Sequence, residues 1–141
     1  MSRRLLLVVV AVTWLISGCG AGASDGPERP EYTPVPDREL FSHIAALPGV
    51  QAVDIRYDDT WPESKYRGEI TIESGADPQA VLDATYALLR QGRPDVAISV
   101  RGVQDRTSIS FDLLDGRSGI PANLEKRYGP QPGDGTPPGS P

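Results

Sequence analysis

The sequence DPQAVLDATYALL, residues 77–89, carries the clearest structural signals in the chain. Asp77 can accept hydrogen bonds from the free N–H groups at the start of a helix, and Pro78 suits the first helical turn. Gly92 is a typical residue for the end of a helix, and Arg90 suits its negative C-terminus. The stretch therefore predicts an amphipathic helix, whose apolar stripe consists of Val81, Leu82, Thr85, Leu88 and Leu89.

Two alternating segments precede this helix and predict a β-hairpin. In Val50–Asp58, apolar residues occupy every second position on one side, and charged residues occupy the other. Tyr66–Glu73 alternates in the same way, so each segment should form a half-buried strand. We predict that the two strands pair antiparallel across the loop of residues 59–65.

Two further alternating segments follow the helix. Val96–Val103 predicts a third strand that points Val96, Ile98 and Val100 inward. Thr107–Leu114 predicts a fourth strand after the turn at residues 104–106. Its inward-facing residues should be Ile109, Phe111 and Leu113.

The remaining helical patterns lie at the two ends of this region. Asp37–Leu47 places Leu40, Ile44 and Leu47 on one face, with Asp37 as a candidate N-cap and Pro48-Gly49 as a stop. Ala122–Tyr128 predicts a short final helix before Gly129-Pro130.

These patterns predict one small α+β domain over residues 37–128. Its element order is α-β-β-α-β-β, two helix-hairpin units, with a possible short C-terminal helix. The simplest solution is a four-stranded antiparallel sheet with two helices on its apolar face and water on its polar face. This order is a circular permutation of the ferredoxin-like arrangement. The phrase Leu47–Val53 (LPGVQAV) resembles the helix-to-strand junction of BON domains of bacterial envelope proteins, a resemblance that bears on fold alone.

Proline and glycine gather outside this domain. Residues 20–36 and 129–141 are rich in both and carry few large apolar side chains. Such segments cannot bury enough surface to offset the entropy of ordering. We predict that residues 19–36 form a flexible linker and that residues 129–141 form a disordered tail.

The N-terminal residues have the pattern of an export signal. Arg3 and Arg4 precede the apolar run Leu5–Ile16, whose length suits a signal peptide. Ile16, Ser17 and Gly18 then precede Cys19, the only cysteine of the chain. This pattern of an aliphatic residue, two small residues and a cysteine resembles the lipobox of bacterial lipoproteins.

The resemblance implies that Cys19 is lipidated and that a peptidase removes the signal peptide, residues 1–18. Acyl chains on Cys19 would then hold the protein on the extracytoplasmic face of the cell membrane. Ordinary secretion and an uncleaved membrane span are the alternatives. Ser2–Leu7 also resembles the start of a twin-arginine signal, so the export route stays open.

Charge argues against one class of partner. Removing residues 1–18 takes away Arg3 and Arg4 and no acid, so 12 basic residues remain against 19 acidic ones. The net charge then changes from −5 to −7. An acidic chain of this kind does not favour binding to nucleic acid.

The loop at the tip of the predicted hairpin is the main candidate contact site. Asp58, Asp59 and Glu63 surround Trp61, an aromatic residue of the kind that anchors interfaces. A weak calcium site and a solvated loop are the alternative interpretations. The polar sheet face is a second candidate surface, formed by Asp54, Arg56, Arg67, Glu69, Thr71, Glu73, Ser99, Arg101, Ser108, Ser110 and Asp112.

No pattern in the chain predicts catalysis, a metal or a cofactor. His43 is the only histidine and has no companion ligands at suitable spacing. The sequence therefore favours a non-enzymatic interaction module whose partner is an unidentified envelope protein or ligand. The alternative is an envelope enzyme or enzyme accessory that uses carboxylates such as Asp58 and Asp59, which would require a raised pKa on one of them.

Overall fold

The computed structural model describes residues 31–60, 62–112 and 119–139. The chain forms α1 (Asp37–Ala45), β1 (Val50–Asp58), β2 (Lys65–Ile72), α2 (Pro78–Leu89), β3 (Ala97–Gln104), β4 (Thr107–Ile109) and α3 (Pro121–Tyr128). The α+β class is confirmed. The order differs from the predicted α-β-β-α-β-β by the third helix, α3, which covers the possible short C-terminal helix predicted at Ala122–Tyr128.

The sheet is mixed, so the prediction of a purely antiparallel sheet is wrong. Its strand order is β1-β2-β3-β4. The β1–β2 and β3–β4 pairs are antiparallel, whereas β2 and β3 run parallel. The reason is α2, because a helical crossover returns the chain to the end of the sheet where β2 began. Alternation within each strand carries no information about this choice.

Helix α2 begins as its sequence predicts. Asp77 accepts hydrogen bonds from the N–H groups of Gln79 (2.9 Å) and Ala80 (3.3 Å). The predicted cap of α1 is wrong, because Pro36 occupies the cap position and makes no side-chain bond. Asp37 instead accepts a hydrogen bond from the Tyr66 hydroxyl (2.8 Å) and pairs with Arg93 (3.1 Å). Asp37 therefore ties α1 to β2 and to the loop after α2.

The fourth strand is shorter than predicted and ends at Ile109. Phe111 leaves the sheet and packs on Tyr86 of α2, with ring centroids 4.9 Å apart. Gln79 bonds to the Ser110 carbonyl (2.9 Å) and accepts from the Asp112 N–H (3.0 Å). Ser110 and Asp112 therefore contact α2 rather than extend the polar sheet face. Leu113 and Leu114 lie outside the described residues.

The core lies between the sheet and the helices. Tyr66, Leu40, Leu82 and Leu124 are fully buried in it. Burial raises the pKa of the Tyr66 hydroxyl. The other buried apolar residues are Ile44, Ile55, Ile70, Ile72, Val81, Tyr86, Leu89, Val96, Ile98, Val100 and Phe111.

Helix α3 is held to α2 by a buried ion pair. Asp83 on α2 is only 5% exposed and accepts hydrogen bonds from Arg127 Nε (3.1 Å) and from the Tyr128 hydroxyl (2.7 Å). Leu124 completes the contact with the core. This cluster, which we call the Asp83 cluster (Asp83, Arg127 and Tyr128), makes α3 part of the fold.

Segments outside the predicted domain also contact it. The Tyr32 hydroxyl donates to the Gly92 carbonyl (2.7 Å), and Gln131 Nε2 donates to the carbonyl of Arg90 (2.9 Å) and to the Tyr32 oxygen (3.2 Å). The predicted domain boundaries at residues 37 and 128 stay a prediction. Tyr32 and Gln131 lie outside those boundaries and contact the loop after α2. None of the described helices is long and apolar enough to cross a membrane.

Candidate binding face

The predicted contact loop begins at Asp58, which has structural partners. Its carboxylate accepts a hydrogen bond from the Thr60 N–H (3.1 Å) and another from the Thr60 hydroxyl. Arg67 Nε lies 3.0 Å from the second carboxylate oxygen. The hydrogen bonds from Thr60, and then the charge of Arg67, lower the pKa of Asp58.

The other predicted loop residues give no assembled site. Asp59 and Glu63 are exposed, and Trp61 lies outside the described residues. A lowered pKa is the opposite of what a general acid at Asp58 would require. For the enzyme alternative, Asp58 is therefore an unsuitable proton donor.

The polar side of the sheet forms a more ordered candidate. An open depression of about 560 Å³ is lined by Asp54, Arg56, Arg67, Glu69, Ser99 and Arg101. We call the surface of these six residues the open face. Strand pairing arranges these side chains in two rows across β1, β2 and β3. One row is Asp54–Glu69–Arg101 and the other is Arg56–Arg67–Ser99.

Like charges therefore face each other across β1 and β2. Asp54 lies opposite Glu69, and Arg56 lies opposite Arg67. Such pairs are unfavourable in an antiparallel ladder. They are tolerated because the apolar side of the hairpin sets the register: a shift of two residues would separate Val53 from Ile70 and Tyr57 from Tyr66.

Two ion pairs partly neutralise the open face. Arg101 Nε and Nη2 lie 3.1 Å and 2.9 Å from Glu69 Oε2. Arg67 pairs with Asp58, as described above. Glu69 of β2 therefore pairs with Arg101 of β3, and Arg56 of β1 lies opposite Arg67 rather than Glu69.

Arg67 is the most unusual residue of the open face. Its Nε atom is buried, and it is the only buried side-chain polar atom of the described residues without a hydrogen bond. The 3.0 Å approach of Asp58 is thus an electrostatic contact without hydrogen-bond geometry. The side chain as a whole is 44% exposed, so the open face presents the rest of Arg67 to solvent.

The remaining candidates lie elsewhere. His43 is exposed on α1, beside Glu39 and Ser42 in a depression on the helix side. Thr71 and Ser108 stay on the polar side of the sheet, opposite Ala52 and Val103, whereas Glu73 follows the end of β2. Within the described ranges, no group of three or more His, Cys, Asp or Glu residues is placed to hold a metal ion.

The sequence contains a signal for the like-charge rows. Asp54 and Arg56 are two residues apart on β1, and Arg67 and Glu69 are two residues apart on β2. In an antiparallel pair, these two patterns either match opposite charges or place like charges opposite, depending on register. The sequence pattern does not give the register of the β1–β2 pair, so it does not decide between these two arrangements.

No family model, curated protein or solved structure matches this chain. Cys19, Ser17, Gly18 and Ile16 lie outside the described residues. The lipobox resemblance thus rests on those residues as a sequence pattern.

Proposed function

We propose that this chain is a bacterial lipoprotein whose α+β domain is an interaction module. Acyl chains on Cys19 hold it at the extracytoplasmic face of the cell membrane. The open face then contacts an envelope protein or ligand that presents acceptor-rich, anionic groups.

The N-terminal pattern supports the anchor. A positive start, an apolar run of signal-peptide length, two small residues and a single cysteine occur in the required order. A thiol is the strongest nucleophile available there for taking up a lipid group. One acyl chain gives reversible attachment, and further acylation gives a stable anchor.

Replacing Cys19 with serine is expected to abolish membrane attachment, because a hydroxyl does not take up the lipid. The variant should accumulate as an uncleaved precursor and incorporate no labelled fatty acid, and Ser17→Ala should behave like the wild-type chain. Detergent phase partitioning and metabolic labelling measure both. Normal processing and partitioning of Cys19→Ser would exclude the anchor.

The row of Arg56, Arg67 and Ser99 is the observation that supports the open face as the contact surface. Arg67, whose side chain is 44% exposed, lies between Arg56 and Ser99 in a row without an acidic member. Arginine is suited to carboxylate and phosphate groups because its donors form a planar fork. An anionic group of a partner would therefore offset the repulsion within this row.

Photo-crosslinking in cells tests this surface with two exposed serines as matched probes. A photoreactive residue at Ser99 lies on the open face, whereas one at Ser42 lies on α1, on the helix side. We expect capture from position 99 and none from position 42, with capture reduced about tenfold by Arg67→Gln. Capture that survives Arg67→Gln but is lost in Trp61→Ala would assign the contact to the loop instead.

A further inference from the structure

Strand β1 has a free edge. It is nine residues long and lies at the end of the sheet order, so β2 is its only neighbour among the described strands. The outward backbone N–H and C=O groups of such a strand can pair with another strand. Proteins that avoid this use short, bulged or proline-containing edges. In β1 the only irregularity of the pairing with β2 lies at its start, between Val50 and Ala52, and the pairing from Ala52 to Asp58 is regular.

Two charged residues of β1 have no ion-pair partner within the described part of the chain. Glu69 forms an ion pair with Arg101, and Asp58 forms one with Arg67. The residues of β1 without such a pair are therefore Asp54 and Arg56. Arg56 acts on Asp58 only as the weakest of the causes that lower the pKa of that carboxyl. Both residues also face a like charge on β2.

We propose that β1 pairs antiparallel with β1 of a second copy of this chain, about a two-fold axis at Ile55. In this register, Asp54 lies opposite Arg56 of the second copy, and Arg56 lies opposite its Asp54. The two four-stranded sheets then form one continuous sheet. The contact is self-complementary, as a two-fold interface requires.

Charge selects this register from its neighbours. A two-fold axis at Asp54 places that carboxylate opposite its own copy. An axis at Arg56 sets Arg56 against Arg56 and Asp54 against Asp58. A shift of one residue would bring the open face of one copy opposite the apolar side of the other. An axis at Tyr57 sets Arg56 against Asp58, which already pairs with Arg67, and leaves Asp54 opposite the uncharged Thr60. Only the axis at Ile55 sets both Asp54 and Arg56 against an opposite charge and keeps both sides of the sheet in phase.

The pairing also relieves the like-charge rows and covers apolar surface. The Arg56–Arg67 row of one copy meets the Asp54–Glu69 row of the other. On the helix side, Val53 lies opposite Tyr57 of the second copy, and Ile55 lies opposite its counterpart. Val53 and Tyr57 are only partly buried in the single chain, so the contact gains apolar burial as well as backbone hydrogen bonds.

Two differently tagged copies of the full chain, expressed together and purified in detergent, test the proposal. The wild-type copies should co-purify. Arg56→Asp in both copies, or Asp54→Arg in both copies, should reduce co-purification by about tenfold or more, because each places like charges opposite at two symmetric positions. Pairing an Arg56→Asp copy with an Asp54→Arg copy should restore it, because every position then faces its opposite charge.

The restored mixture separates a specific contact from misfolding, since a variant that fails to fold cannot regain its partner. A second readout fixes the register: with a mild chemical oxidant such as copper–phenanthroline added, an Asp54→Cys copy should form a disulfide with an Arg56→Cys copy, and neither should do so with itself above the wild-type background. Cys19→Ser should leave co-purification unchanged, so failure of the anchor and failure of the dimer are distinguishable. Wild-type copies that do not associate, or a mixture that stays apart, would overturn the proposal.

Discussion

Replacing Gly68 with alanine is expected to destabilise the domain by about 3 kcal/mol or more, enough to unfold a marginal protein of this size. Gly68 lies opposite Ile55 on the central strand β2 and has a φ of +142°. A Cβ atom there would lie 1.9 Å from the carbonyl oxygen of Asp54. Because the obstacle is backbone rather than a side chain, β1 and β2 would have to separate to admit it.

Gly75 provides a matched control for this substitution. It also has a positive φ, +86°, but an added Cβ would meet nothing within 4 Å. Gly75→Ala should therefore show only the conformational cost, about 1 kcal/mol. Urea unfolding followed by circular dichroism measures both variants. Equal midpoints would mean that the close approach of the two backbones does not limit stability.

The second large effect is expected at the Asp83 cluster. Asp83→Ala removes the acceptor of Arg127, whose side chain is only 15% exposed, and that of the Tyr128 hydroxyl. Loss of one partner of a buried ion pair typically costs about 3–5 kcal/mol, because the remaining charge has no compensation. We expect a loss near the lower end, about 3 kcal/mol, since α3 can move to expose Arg127 to water.

Glu69→Ala is the control for this prediction. It breaks the Glu69–Arg101 pair, which has similar distances but side chains that are 41% and 62% exposed. Exposed pairs contribute about 0.5 kcal/mol, so this variant should unfold close to the wild-type midpoint. A double-mutant cycle of Asp83→Ala with Arg127→Ala gives the coupling directly. Independent, additive effects would contradict the role of the pair.

Local chemistry made part of the fold predictable. The cap at Asp77, the bounds of β1 and the β1–β2 hairpin follow from side-chain type and alternation within a few residues. The parallel pairing of β2 with β3 was not predictable in this way, since it depends on where α2 returns the chain. The short β4 was not either, because Phe111 alternates like a strand residue yet packs on Tyr86.

The candidate surfaces, like the fold, were predictable only in the features that depend on neighbouring residues in the sequence. The membership of Asp54, Arg56, Arg67, Glu69, Ser99 and Arg101 in one polar face follows from alternation, and the structure places all six around one depression. The sequence did not predict which charged residues of this face lie opposite each other. That arrangement depends on the β1–β2 register, which the apolar residues on the other side of the sheet determine. The Asp83 cluster was missed as well, since Arg127 lies far along the chain from the carboxylate it neutralises.

The contact between Tyr32 and Gln131 joins residues near both ends of the described chain at the loop that follows α2. A pulling force that arrives along the N-terminal segment would first load the bond from Tyr32 to Gly92, rather than a sheet strand. Gln131 also donates hydrogen bonds to this loop, at the carbonyls of Arg90 and Arg93, and so stabilises it against such a force. A domain tethered upstream of Tyr32 could therefore take up tension at one corner while its strands stay undisturbed.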